Sequence, residues 1–220
     1  MWDSRREFVA EAIGTAFLLA AVVGSGVMAD RLTDDAGLRL LIAALVTGFV
    51  LAVLISAFIG ISGAHFNPVV TLGAWRLGLL EAFKVVPYIA AQLVGGLTGV
   101  VLANVMFEES LLSIAQTDRW GGGAAAGEIV ATLGLVLLIF VLVRQDKFAA
   151  IGPGVGAYIA AAYFFTSSTS FANPAVTISR IFTDTPAGIA PASAPGFIVM
   201  QLVGAAVAVF LVAVVTPASD

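Results

Sequence analysis

The chain has 220 residues, 60% hydrophobic and 11% charged, with a formal net charge of −4. A soluble domain is nearer half apolar and a quarter charged, and here the apolar excess runs along the whole length, which is the composition of an integral membrane protein rather than of a domain with one anchor. The modest charge leaves no nucleic-acid footprint, the lack of cysteine excludes disulfides and thiolate chemistry, and one histidine with few acids near it gives no reason to expect a metal or a cofactor.

Six stretches come near the ~20 residues that a helix needs to cross a bilayer: 8–29, 38–60, 82–106, 125–143, 149–166 and 196–216. The first follows Arg5 and Arg6 and mimics a signal peptide, but its apolar run is longer than a signal core and carries Glu11. Asp30, Arg31, Asp34 and Asp35 separate it from the second. After the second comes Ser62-Gly63-Ala64-His65-Phe66-Asn67-Pro68-Val69-Val70-Thr71-Leu72. Asn is a good N-cap, and Pro suits the first helical position because its missing N–H has no partner there. The segment therefore predicts a loop entering a helix too short to span.

The third span ends in the longest polar break, with Glu108, Glu109, Asp118, Arg119 and Gly121-Gly122-Gly123. Arg144, Asp146 and Lys147 separate the fourth span from the fifth, as a solvated loop. After the fifth the short pattern returns as Ser170-Phe171-Ala172-Asn173-Pro174-Ala175-Val176-Thr177-Ile178. Glu11 and Thr15 recur as Glu128 and Thr132, and Gln92-Leu93-Val94-Gly95 recurs as Gln201-Leu202-Val203-Gly204. The chain is thus one membrane domain, 1–220, built from repeats 8–106 and 125–216.

An odd number of spans per repeat makes the repeats inverted, so the two half-helices enter from opposite faces with their N-termini meeting near the midplane. Irregular backbone at that depth is tolerated only inside protein or along a water-filled cavity, and two such N-termini focus positive dipole at one place. The Lys and Arg distribution favours both termini on the cytoplasmic side, as in a bacterial inner membrane. Arg5, Arg6, Arg76, Lys84, Arg144 and Lys147 then lie inside, and Arg31, Arg39, Arg119 and Arg180 outside.

The paired Asn-Pro boxes, Ser-Gly-Ala-His before the first, and one Glu early in each repeat resemble the aquaporin (major intrinsic protein) family over nearly the whole chain. The resemblance implies an all-α membrane protein, six transmembrane helices plus two re-entrant half-helices, assembled as a homotetramer in the lipid bilayer. It implies a passive channel rather than an enzyme. The stretch from Phe165 to Thr185 is similar to bacterial aquaglyceroporin-like channels associated with arsenic resistance. That likeness points to glycerol-like polyols, arsenous acid or other neutral metalloid acids, and water as solutes.

An N-cap Asn uses its side-chain oxygen on the helix, which leaves the N–H₂ of Asn67 and Asn173 to donate into the pore. By family analogy, Gly63, Ala64, His65 and Phe66, and Thr169, Ser170, Phe171 and Ala172, present carbonyls along it. Glu11 and Glu128 sit within apolar spans and are expected to accept loop N–H groups rather than coordinate an ion. His65 is expected to brace its loop, against Glu11. Gly95, Gly96 and Gly204 are expected at helix contacts.

Two positions depart from the family. Val69 replaces an Ala, a conservative change. Val176 stands where most members have an Arg that helps form the outer filter. Offsets from the Asn boxes assign the rest of the selectivity filter to Thr47, Ala161 and Ser170, which with Val176 gives a wide opening without a fixed cation. Arg180 follows one turn later, ~6 Å away on the same face. It either lends charge to the outer vestibule or pairs with Asp184. A water-selective aquaporin is the nearest alternative. An ion-coupled transporter also uses inverted repeats and broken helices, but needs an ionisable group at the binding depth, where only His65 stands. A membrane enzyme would need a nucleophile–base set that one His without Cys does not supply.

Overall fold

A computed structural model describes residues 2–216, with side chains from Ser4 onward. The helices are α1 (Trp2–Leu32), α2 (Ala36–Ser62), α3 (Pro68–Arg76), α4 (Ala82–Met106), α5 (Gly122–Arg144), α6 (Phe148–Phe165), α7 (Pro174–Ser179) and α8 (Ala194–Val215). A 3₁₀ turn, Arg180–Phe182, continues α7. Six of these are long and apolar enough to cross a membrane, and no strand occurs among the described residues. The fold is all-α, with six spans and two half-helices.

Capping fixes the starts. Asp35 accepts from Leu38 N, Asn67 from Val69 N, and Asn173 from Ala175 N and Val176 N. Each Asn is followed by Pro at the first helical position, as the sequence predicts. α1 outruns the expected 8–29 at both ends, because Arg5, Arg6 and Glu7 are good helix formers and do not stop it.

The packing is duplicated. α1 packs on α4 and α2, α5 on α8 and α6, and α2 against α6 joins the halves. α3 wedges against α4, α5 and α8, while α7 wedges against α4 and α8. Lipid supplies no hydrophobic drive between helices, so close contact needs small residues. A Cβ on Gly95 would lie 2.2 Å from Ala12 O, one on Gly99 2.1 Å from Ala16 O, and one on Gly204 2.5 Å from Ile129 O. Large apolar side chains such as Phe49, Phe83 and Phe210 are exposed on the outer surface, where a bilayer covers them.

The polar break after α4 is an ordered strap rather than a loose loop. Ser113 N donates to Phe182 O at 3.2 Å, Ala115 N to Ile181 O at 2.9 Å, and Ala190 N to Thr117 O at 2.8 Å. The strap thereby lies along the 180–193 segment that follows α7, over one mouth of the bundle.

Gly95→Ala is expected to destabilise the protein by about 1–3 kcal/mol through overpacking against α1. Gly60→Ala, at a site with nothing within 4 Å of the added methyl, is expected to be neutral or stabilising by up to about 1 kcal/mol. Equilibrium unfolding in mixed micelles compares the two.

Candidate pore

The two loops that precede α3 and α7 are held in an unusual backbone. Gly63, Ala64 and Phe66 have φ of +82°, +51° and +49°, and Thr169, Ser170 and Ala172 have +60°, +53° and +48°. For residues other than Gly this left-handed region costs of order 1–3 kcal/mol each, so the surroundings must enforce it. Two carboxylates do so. Glu11 Oε1 accepts from Ser62 Oγ (2.7 Å) and His65 N (2.9 Å), and its Oε2 from Phe66 N (2.7 Å) and Gln92 Nε2 (2.8 Å). Glu128 accepts from Phe171 N and Ala172 N, both at 2.9 Å, and from Gln201 Nε2 at 2.6 Å. Gln92 and Gln201 each donate again, to Thr71 Oγ1 and Thr177 Oγ1, both at 2.9 Å. Glu11 and Glu128 are fully buried.

His65 meets Glu11 through its backbone N–H, not its ring. The ring Nδ1 lies 3.1 Å from Thr71 Oγ1, and the ring centroid 5.3 Å from that of Tyr88. The Tyr88 hydroxyl lies 2.9 Å from both Glu7 Oε2 and Ser62 O, and Lys84 Nζ lies 3.0 Å from Glu7 Oε1. Sequence reasoning missed this second brace. Its signal was the spacing: Glu7 one turn before Glu11, and Tyr88 one turn before Gln92. The second repeat lacks it, with Ala124, Ser193 and Phe197 at the corresponding positions.

The loops meet at the asparagines. Asn67 Nδ2 donates to Ala172 O, and Asn173 Nδ2 to Phe66 O, both at 2.8 Å. The amide groups are therefore not wholly free, as the sequence suggested: one hydrogen of each ties the opposite loop, and the second remains. The crossing also occupies the Phe66 and Ala172 carbonyls that were expected to face solute alone.

A cavity of about 310 Å³ passes this crossing. Asn67, Asn173, Gly63, Ala64, His65, Phe66, Ser170, Phe171 and Ala172 all line it, and so do Thr47, Val176 and Arg180. Thr169 does not; its N–H donates to Thr166 O at 3.3 Å. Ala161 does not either: it is exposed on the outer face of α6, and Ile159 and Tyr163 line the cavity instead. Helical periodicity explains the correction, since positions 155, 159 and 163 share one face and 161 lies ~200° from 159. Tyr163 OH lies 3.0 Å from Thr47 Oγ1, so the filter region carries a phenol that the offsets overlooked. The Ser170 hydroxyl is buried without a partner.

Arg180 is 6% exposed and makes no ion pair with Asp184 among the described residues. Its Nε donates to Ala187 O, and its guanidinium lies 3.6 Å from the centroid of the Phe171 ring. Asp184 instead accepts from Gln116 N of the strap. The strap adds Arg119, whose Nε and Nη2 donate to Gly188 O (2.7 Å) and Pro186 O (2.8 Å) and whose guanidinium lies 5.5 Å from the same ring. Beside it, the Ser193 hydroxyl and then the Trp120 N–H hold the Asp118 carboxyl below the usual carboxylate range.

Two half-helices joined N-terminus to N-terminus across a cavity, inside six spans, define a membrane channel of the aquaporin fold. A family model, Major intrinsic protein, matches residues 1–167. The chain is 45% identical over 210 residues to "Aquaglyceroporin AqpS" of Rhizobium meliloti (strain 1021), covering 96% of this chain and 90% of that protein. It is 33% identical over 186 residues to a "Probable aquaporin TIP-type" of Medicago truncatula, covering 79% and 74%. Among solved structures, the aquaglyceroporin from Plasmodium falciparum superposes with a TM-score of 0.74 at 24% identity, covering 96% of this chain and 97% of that one. The chain belongs to the major intrinsic protein family.

Glu11→Leu leaves the N–H groups of His65 and Phe66 buried and unpaired, at about 1–3 kcal/mol each, and is expected to destabilise the fold by at least ~3 kcal/mol. Glu11→Gln retains one acceptor oxygen but turns an N–H₂ toward donors, so its cost is expected to be about half. Unfolding of the purified variants measures the difference; a Leu variant as stable as wild type removes Glu11 as the loop's brace.

Proposed function

We propose that the channel passes small uncharged solutes down their gradients: polyols of glycerol size, neutral triols such as arsenous acid, and water. The supporting observation is the Asn67–Asn173 crossing, which puts amide donors and two helix N-termini at the middle of a largely apolar conduit. A hydroxyl-bearing solute exchanges its water hydrogen bonds there, whereas a cation meets positive dipole and apolar wall and is not compensated. The relative named an aquaglyceroporin, 45% identical over 96% of this chain, supports the choice of polyols over water alone.

In this reading Asn67 and Asn173 are the pore donors, and Thr47, Tyr163, Ser170 and Val176 form the selectivity filter, with Tyr163 in place of Ala161. Arg180 serves the vestibule on the strap side. A water-selective channel is the second reading, favoured by the buried Arg180 and by the Tyr163 phenol near the opening. The excess of Lys and Arg at one set of loops supports cytoplasmic termini, the relative from Rhizobium meliloti supports a bacterial inner membrane, and the family resemblance supports a homotetramer.

Val176→Arg is expected to cut glycerol and arsenous acid permeation at least about tenfold while water permeation falls less than threefold, on the order of 1 kcal/mol of difference. A guanidinium fills space that a three-carbon triol needs and one water does not. Stopped-flow swelling of proteoliposomes under water, glycerol and arsenous acid gradients reads the ratio. Wild-type exclusion of glycerol would favour the water-selective reading.

A further inference from the structure

We propose that the mouth beneath the strap binds a small monovalent oxyanion, of the carboxylate or sulfonate type, on the guanidinium of Arg180 with that of Arg119 beside it. Both cations sit on the Phe171 ring, at 3.6 Å and 5.5 Å from its centroid. Neither has a carboxylate partner among the described residues. Their hydrogen bonds go to three successive carbonyls, Pro186, Ala187 and Gly188, which fix the planes of the guanidiniums without neutralising them. Arg180 uses only Nε in this way, leaving its two Nη groups for the cavity it lines.

The acids nearby are engaged elsewhere. Glu128 commits its oxygens to Phe171 N, Ala172 N and Gln201, Asp184 accepts from Gln116 N, and Asp118 accepts from Ser193 and Trp120 N. Described residues that line the cavity include Arg180 and no carboxylate. A buried guanidinium without an anion is costly, and a planar or tetrahedral oxyanion matches its fork of donors. Within the same lining, the unpartnered Ser170 hydroxyl and the Thr47–Tyr163 pair supply further donors for the remaining oxygens. Among the described residues that line the cavity, Arg180 is the one Lys or Arg, so the cation lies towards the strap end. The site goes beyond a neutral-solute channel, and purified protein reports it whether or not any solute permeates.

Methanesulfonate stays ionised at neutral pH and serves as the probe, labelled with ³⁵S, in equilibrium dialysis against purified protein. Saturable binding at one per protomer is expected, displaced by nitrate and acetate but not by dimethyl sulfone, its neutral isostere. Arg180→Gln is expected to weaken binding at least about tenfold, Arg119→Gln about threefold, and Arg180→Lys less than Arg180→Gln. Arg31→Gln, which removes an exposed cation paired with Glu109, is expected to change nothing. Absence of saturable binding, displacement by dimethyl sulfone as strong as by nitrate, or equal binding by wild type and Arg180→Gln would overturn the proposal.

Discussion

Two buried carboxylates hold the channel's middle together. Glu11 and Glu128 each gather two adjacent loop N–H groups and a glutamine amide inside the bundle. Without those acceptors the loops would have to find other partners for polar backbone in a region with little water, at several kcal/mol per group. With them, Ala64, Phe66, Ser170 and Ala172 are kept in the left-handed region that an isolated chain would leave. That backbone points the Phe66 and Ala172 carbonyls at the opposite asparagines, and the reciprocal bonds fix α3 and α7 end to end. The cost of a buried charge is offset by four donors at Glu11 and three at Glu128, which is the condition under which such burial is tolerated.

The same geometry sets the electrostatics. Both half-helices direct their N-termini to the crossing, so the cavity meets positive dipole there, while the Glu11 and Glu128 carboxylates that hold the loops do not line it. The two ends differ. On the side of α1's N-terminus, Lys84 is neutralised by Glu7, and Tyr88 links that pair to the first loop. On the strap side, Arg119 and Arg180 are steadied by carbonyls and an aromatic ring, and their charge stands. A pseudo-symmetric frame thus carries an asymmetric field.

Much of this was legible in the sequence because it depends on local chemistry repeated twice. The Asn-Pro boxes announce capped helix starts, and the Glu–Thr pairs 11/15 and 128/132, with the same four-residue spacing, point to a duplication. What was not legible depends on facing directions. Offsets from the Asn boxes placed Ala161 in the filter, but the α6 face is set by its packing on α2, and that packing turns Tyr163 inward. Arg180 and Asp184 have the spacing of a helical ion pair, yet α7 gives way to a 3₁₀ turn at Arg180, and Arg180 bonds Ala187 further along the segment while Asp184 bonds Gln116 of the strap. The strap read as a polar break because its bonds are to residues about seventy positions away, a distance over which sequence pattern carries no information.

On the proposed function, paired amide donors at the crossing make the conduit passable to neutral solutes and closed to cations. Potassium conductance and glycerol flux, measured on the same proteoliposomes carrying wild type, Asn67→Asp or Asn173→Asp, test it most directly. Each substitution removes a donor to the opposite loop and sets a negative oxygen against a carbonyl. Conductance that rises at least about tenfold while glycerol flux falls is the predicted result, a change of ~1.4 kcal/mol or more in the cation barrier. Unchanged conductance and unchanged flux in both variants would contradict a pore that runs through these residues.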